Sequence, residues 1–165
     1  MTDDVQNAFR FLVMLDPFDA FVPREIIGTL LERAPGAFHS CSGLGGELEV
    51  TSYAEGGRND YVHQLPVRHS WGRITLSKGI ARDPTLFAWY EAGLFGSLGA
   101  RRDGAIIMQT SQGLPSMVWS FTGGLAARWS GPEFNAGQDG LAIESLEIAH
   151  QGVKATPGLG VLGLA

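Results

Sequence analysis

Glycine constrains this chain more than any other feature: 23 of the 165 residues are glycine, and they are spread along the whole length. They recur without a short period, which excludes a collagen-like or linker composition. Runs of β-branched and aromatic residues lie between them. Many short strands separated by tight turns give that distribution. The expected fold is mainly β, a β-sandwich or barrel of about eight short strands, with one flanking α-helix and an extra short helix near the N-terminus.

Read from the start, Phe9, Phe11, Val13 and Leu15 alternate with Arg10, Leu12, Met14 and Asp16, a first strand that Asp16-Pro17 ends. Pro23 to Arg33 reads as a short helix: Ile26, Ile27, Leu30 and Leu31 form one apolar stripe, and Ala34-Pro35-Gly36 stops it. A strand is expected over Ala37–Cys41, a turn over Ser42–Gly46, and an alternating strand over Glu47–Tyr53. "EGGRND" (Glu55 to Asp60) is a loop, and Val62–Val67, with Leu65-Pro66, is irregular or an edge.

"GRITLSKGIARDPTLFAWY" (Gly72 to Tyr90) is strand, short connection, helix. Ile74, Leu76 and Lys78 share one strand face, and Arg73, Thr75 and Ser77 the other. Asp83 before Pro84 is a helix start, followed by Leu86, Phe87, Trp89, Tyr90 and Leu94 at helical spacing. Lys78-Gly79 lacks the order and spacing of a phosphate-binding loop, so Gly79 is expected to supply backbone shape at the strand exit. A hairpin around "SQGLP" joins Ala105–Thr110 to Ser116–Thr122, with Met117, Trp119 and Phe121 on one face. Ala126–Ser130 and Leu141–His150 are the last strands. In the latter, Leu141 and Ile143 have one parity and Leu146 and Ile148 the other, which predicts a bulge or a strand covered on both faces. The tail from Pro157 to Ala165 carries no strong pattern.

One domain is expected at this length, with a real core: 44 % of residues are hydrophobic and 18 % charged. The net charge of −5 leaves no basic footprint for nucleic acid. Cys41 is the only cysteine, so no intramolecular disulfide can form. "MTDDVQNAFRF" lacks the basic and apolar regions of a signal peptide, and no stretch approaches the ~20 apolar residues of a membrane span. A cytoplasmic product is the expectation.

No catalytic set emerges. Gly96-Ser97-Leu98-Gly99 is a residue short of a nucleophile elbow. His39 and Cys41 could face the same way on a strand, but His63, His69 and His150 are scattered, so Cys41 reads as a small buried apolar residue rather than a metal ligand. Glu47 and Glu49 share a strand face; a solvated or interface-facing strand accounts for them better than an acid/base pair. Gly158 to Gly163 spells G-x-G-x-x-G, but too few residues follow for the helix that motif needs. Trp71, Trp89, Trp119 and Trp129 read as core or interface residues. No catalytic, cofactor-binding or metal residue is assigned, no cofactor is expected, and the chain reads as a non-enzyme built for assembly.

The ordered series Phe9-Arg10-Phe11, "FHSCSGL" (Phe38 to Leu44), "YAEGG" (Tyr53 to Gly57), Leu65-Pro66, "ITLSKGI" (Ile74 to Ile80), Trp89, Trp119-Ser120-Phe121, "ARWSGP" (Ala127 to Pro132) and "AIESLEIAHQG" (Ala142 to Gly152) resembles the tail-tube proteins of contractile phage tails and phage-tail-like contractile injection systems. The resemblance covers nearly the whole chain. It implies a β-sandwich or barrel with a flanking helix, homohexameric rings that stack into a hollow inner tube, and partners among adjacent rings, sheath and baseplate proteins. The charge and the lack of a long apolar run already argue against direct nucleic-acid recognition and a membrane-spanning segment, and the resemblance places the product in a phage-tail-like particle. The chain departs from the family pattern in a helix-bearing insertion over 16–35 and in a C-terminal tail over 153–165. Both departures point to a specialised ring, a tube initiator or baseplate adaptor. Two alternatives stay open: a secreted ring-forming tube protein of the type VI kind, and a small β-barrel that binds a ligand or performs a hydrolase reaction.

Overall fold

The structure, a computed structural model, describes residues 11–15, 38–57, 59–79, 84–96, 100–110, 112–134, 137 and 142–158. The insertion over 16–35, its predicted helix, the Asp83 cap and the end of the tail lie outside the described residues. Among those described, nine strands and one helix occur: β1 (Phe11–Leu15), β2 (Ser40–Ser42), β3 (Gly46–Tyr53), β4 (His63–Trp71), β5 (Ile74–Gly79), α1 (Thr85–Gly96), β6 (Arg102–Gln109), β7 (Pro115–Ser130), β8 (Ile143–Ala149) and β9 (Gly152–Pro157). The fold is mainly β with one flanking helix, as the glycine-punctuated pattern predicts.

β7 organises the molecule. Its first half pairs with β6 on one side and β9 on the other, and β1 pairs with β6. Its second half pairs with β8, which continues to β5 and then β2. One chain segment thus belongs to two sheets, which turn their apolar faces toward each other. The sequence reading separates Ser116–Thr122 from Ala126–Ser130. They form one continuous strand instead, because Gly123 takes φ +60° and lets the strand bend without ending.

The core lies between the two sheets. Ile74 and Leu76 of β5 and Leu146 and Ile148 of β8 are fully buried, and Phe121 of β7 and Trp89 of α1 are nearly so. β8 contains no bulge: its pairing with β5 runs uninterrupted from Ile74↔Ile148 to Gly79↔Ile143. Glu144, Leu146 and Ile148 face inward and Ile143 is simply exposed at the strand's end. The predicted phase change therefore reflects a buried acid at a core position. The register shift falls on β7, where Ala126 pairs with Ile148 but Arg128 with Glu147.

A further segment differs from the sequence reading. Residues 153–157, grouped there with the tail, belong to β9, whose Val153 packs on the core opposite Phe121. Val62–Val67, expected to be irregular or an edge, falls mostly in β4, a strand with a partner on one side only among the described residues. Pro66 is accommodated because β4 has a partner on one side only and the ladder shifts register beside it, between Glu49 and Val50.

α1 follows Pro84 directly. Leu86 and Trp89 are its buried residues, and the Trp89 indole donates to the Ala100 carbonyl at 2.8 Å. The Arg102 guanidinium lies 5.7 Å from the centroid of the Trp89 ring, a cation–π contact made in a buried setting.

Candidate assembly surface

Among the described residues, β3 and β4 pair only with each other, forming a two-stranded ribbon separate from the sheets of the body. Every residue of β3 is exposed, and β4 is exposed except at its two ends. An isolated two-stranded ribbon is marginally stable in water. This one is held at its root. Trp71, the last residue of β4, packs beside the His69 ring (4.4 Å between centroids) and the His150 ring (6.0 Å). A Cβ on Gly46 would approach the Trp71 ring to 2.9 Å, and one on Gly152, the first residue of β9, would lie 3.6 Å from the Trp71 indole nitrogen. The Gly72 N–H donates to the Gly45 carbonyl at 2.9 Å, closing the root. Gly43, at φ +84°, is there because a side chain would run into the Arg73 carbonyl.

The register makes the ribbon amphipathic. One face carries the pairs Gly46↔Trp71, Leu48↔His69, Val50↔Pro66 and Ser52↔Gln64, with no carboxylate, lysine or arginine. The other carries Glu47↔Ser70, Glu49↔Arg68, Thr51↔Leu65 and Tyr53↔His63. Leu48 is 52 % exposed and Val50 47 %. At the tip, His63 Nε2 lies 3.3 Å from Glu55 Oε2, and the Tyr61 ring meets the His63 ring edge-on at 4.9 Å.

A second apolar surface lies on α1. Phe87, Leu94 and Phe95 point outward, with Phe95 84 % exposed. The sequence reading assigns Phe87 and Leu94 to the helix's apolar stripe; only Leu86 and Trp89 of that stripe are fully covered, since the helix is apolar nearly all round. Phe87 touches Trp129 edge-on at 4.9 Å.

The residues weighed for chemistry do not converge on a pocket. His39 is exposed and its backbone N–H donates to the Ser77 carbonyl. Cys41 pairs with Leu76 across the β2–β5 ladder and is half-buried against the core, and burial pushes its thiol up to about 11. Glu47 and Glu49 stand exposed on the ribbon. Among the described residues, no group of three or more histidines, cysteines or carboxylates is placed to hold a metal. Gly79, expected to shape the strand exit, has neither a positive φ nor, among the described residues, a neighbour within 4 Å of its Cβ position.

Lys78 has a role that sequence reasoning missed. It is buried, and its ammonium lies 3.3 Å from Glu144 Oε1. The Trp129 indole donates to the other oxygen of Glu144 at 3.0 Å. This cluster joins β5, β8 and β7 inside the core. The parity of Lys78 with Ile74 and Leu76 was the available signal.

A family model described as T4-like virus tail tube protein gp19 matches residues 7–154. The chain belongs to this tail tube family. Solved structures share the fold of this tail tube protein. A chain from the six-fold symmetrised baseplate of the anti-feeding prophage is 24 % identical, with a TM-score of 0.74, covering 92 % of this chain and 95 % of that one. A chain from the extended sheath–tube complex of the extracellular contractile injection system PVC is 19 % identical, with a TM-score of 0.75 and 94 % of each chain covered. Hcp1 from Salmonella typhimurium is more distant, at 16 % identity and a TM-score of 0.53, over 92 % of this chain and 87 % of that one. No curated protein sequence matches the tail tube protein significantly. Among the described residues, no helix is long and apolar enough to cross a membrane.

Proposed function

We propose that this tail tube protein is a structural subunit of the inner tube of a contractile injection system or phage tail, that six copies close a ring, and that rings stack into a hollow tube. The observation that carries the reading is the β3–β4 ribbon: an exposed arm with one uncharged face whose strands have, among the described residues, no strand partner but each other. Leu48 and Val50 are each about half exposed, so covering the rest would stabilise an assembly by roughly 1 kcal/mol apiece. Head-to-tail contacts between identical copies either close into rings or continue as filaments, and an arm that reaches a neighbour serves both. The assemblies of the structural neighbours, a six-fold baseplate and a sheath–tube complex, support the same reading.

On this reading the chain acts as one domain over 1–165, performs no catalysis, and works within a phage-tail-like particle against adjacent rings, sheath and baseplate proteins. The insertion over 16–35 suits a specialised initiator or adaptor ring. Its test is Ile27→Asp with Leu31→Asp: an unchanged melt of the isolated subunit with failed particle assembly supports the specialised ring, and an unchanged melt with normal assembly removes it. Likeness to Hcp1 favours, second, a type VI-like secreted ring. Negative-stain electron microscopy of the purified protein tests the main reading. Leu48→Asp with Val50→Asp should give folded subunits that no longer form rings or tubes.

A further inference from the structure

The arm and the tail leave the body at opposite ends. The arm is rooted where the Trp71 ring meets the turn between β8 and β9, beside His150 and Gly152. β9 then runs away from that root along β7, from Gly152↔Thr122 to Pro157↔Met117. Its six residues carry the chain ~17 Å. At the far end the Gly158 N–H donates to the Ser116 carbonyl at 2.9 Å, and a Cβ on Gly158 would run into the Pro115 carbonyl. Gly158 is buried, so the point from which residues 159–165 depart is fixed in the fold.

Residues 159–165 read LGVLGLA and contain no polar or charged side chain. A run this apolar gains by being covered. Fully extended, its seven residues span up to ~25 Å. The arm matches it in length and in character. β3 has eight residues, ~24 Å of strand. Among the described residues β3 pairs with β4 alone, so its other edge is open. β4 carries Pro66, which has no N–H to donate, whereas β3 contains neither the proline nor the lysine that blunts an edge. A two-stranded ribbon is marginal in water, and a third strand is what it lacks. In an added strand Leu162 and Leu164 share one parity, so both can stand on the side of Leu48 and Val50 and extend the ribbon's uncharged face.

Head-to-tail contacts bring one end of a subunit against the opposite end of the next. The arm of one copy and the tail of its neighbour then share a junction. Returning to its own arm would use ~17 Å of the tail's ~25 Å only to regain the root. We infer that residues 159–165 of one copy add as a third strand to the open edge of β3 in a neighbouring copy. Main-chain hydrogen bonds make the join, and Leu162 and Leu164 pack beside Leu48 and Val50. The inference rests on the tube reading above and names the segment of the neighbour that the arm meets.

Cross-linking of mixed subunits tests it. Leu48→Cys and Leu162→Cys are made in separate chains, each in a Cys41→Ala background, then mixed, assembled and treated with a short bis-maleimide. Dimers containing both chains should form in tubes and be absent from dissociated subunits. Val50→Cys with Leu164→Cys is the second pair and serves if the first fails to fold or assemble. A chain stopped after Gly158 should melt like the parent as an isolated subunit and lose its tubes. Tubes that cross-link with neither pair, or a shortened chain that assembles as the parent does, would overturn the inference with the tube intact. So would a Leu48→Cys/Leu162→Cys double variant that cross-links within a single dissociated subunit, since the tail would then lie on its own arm. Failure of the parent protein to form tubes, alone or with its particle, is a separate observation that removes the tube reading and the inference with it.

Discussion

The ammonium of Lys78 lies 3.3 Å from the carboxylate of Glu144, with the two side chains only 5 % and 8 % exposed. They are direct cross-strand partners in the β5–β8 ladder. Two charges in an apolar core are tolerable only as a pair, because each alone carries a desolvation cost of several kcal/mol. Lys78→Met should therefore destabilise the subunit by about 3–5 kcal/mol. Adding Glu144→Gln should recover much of that loss, since Gln keeps an acceptor for the Trp129 indole while removing the orphaned charge. Chemical denaturation of both variants measures it. Equal stability of Lys78→Met and the parent would mean that the pair does not form.

Phe121 sits between two glycines. A Cβ on Gly104 would lie 2.5 Å from the Phe121 ring and one on Gly124 2.6 Å, with backbone carbonyls close behind. Overpacking of this kind costs about 1–3 kcal/mol, so Gly104→Ala and Gly124→Ala should each lower the melting temperature. Phe121→Leu combined with either should cost less than the two changes summed, because the ring is the obstacle. Strict additivity in thermal melts would contradict this packing.

Burial raises the Cys41 thiol to about 11 from an ordinary 9.0. The folded state favours the protonated form, so stability is full below the unfolded value and declines as pH rises through 9.0 toward 11. Cys41→Ala should lose that part of the alkaline decline. At pH 8 the native thiol should react with iodoacetamide far more slowly than in urea, because the thiolate is the nucleophile. Equal rates in the two states would contradict the burial.

These tests also mark what the sequence made legible. The period-two runs placed the β5 and β6–β7 strands, and the parity of Lys78 with Ile74 and Leu76 was correct. The partner of Lys78 was not legible, because cross-strand pairing depends on register between segments distant in the chain. Ile143 misled for the same reason: Glu144 occupies the core position that an apolar residue was expected to hold. β9 was hidden because Gly152–Pro157 has weak strand character, and only the edge offered by β7 orders it. The arm's strands were partly visible, but its separation from the body was not. Alternation shows that a strand has two faces and not whether either is covered.

α1's outward face should matter only in the assembly. Leu94→Asp with Phe95→Asp places charge where the subunit is already exposed, so its melting temperature should change little. Rings or tubes should be lost. A large drop in the isolated subunit's stability, or normal tubes, would remove this face from the set of contacts.

Cryo-electron microscopy of the purified protein, alone at high concentration and incorporated with its neighbours into particles, tests the central claim most directly. The account predicts rings of six subunits with an open centre, stacked into tubes, in which the β3–β4 arm of each copy lies against another copy. A protein that stays monomeric under every condition and enters no tail-like particle would contradict it.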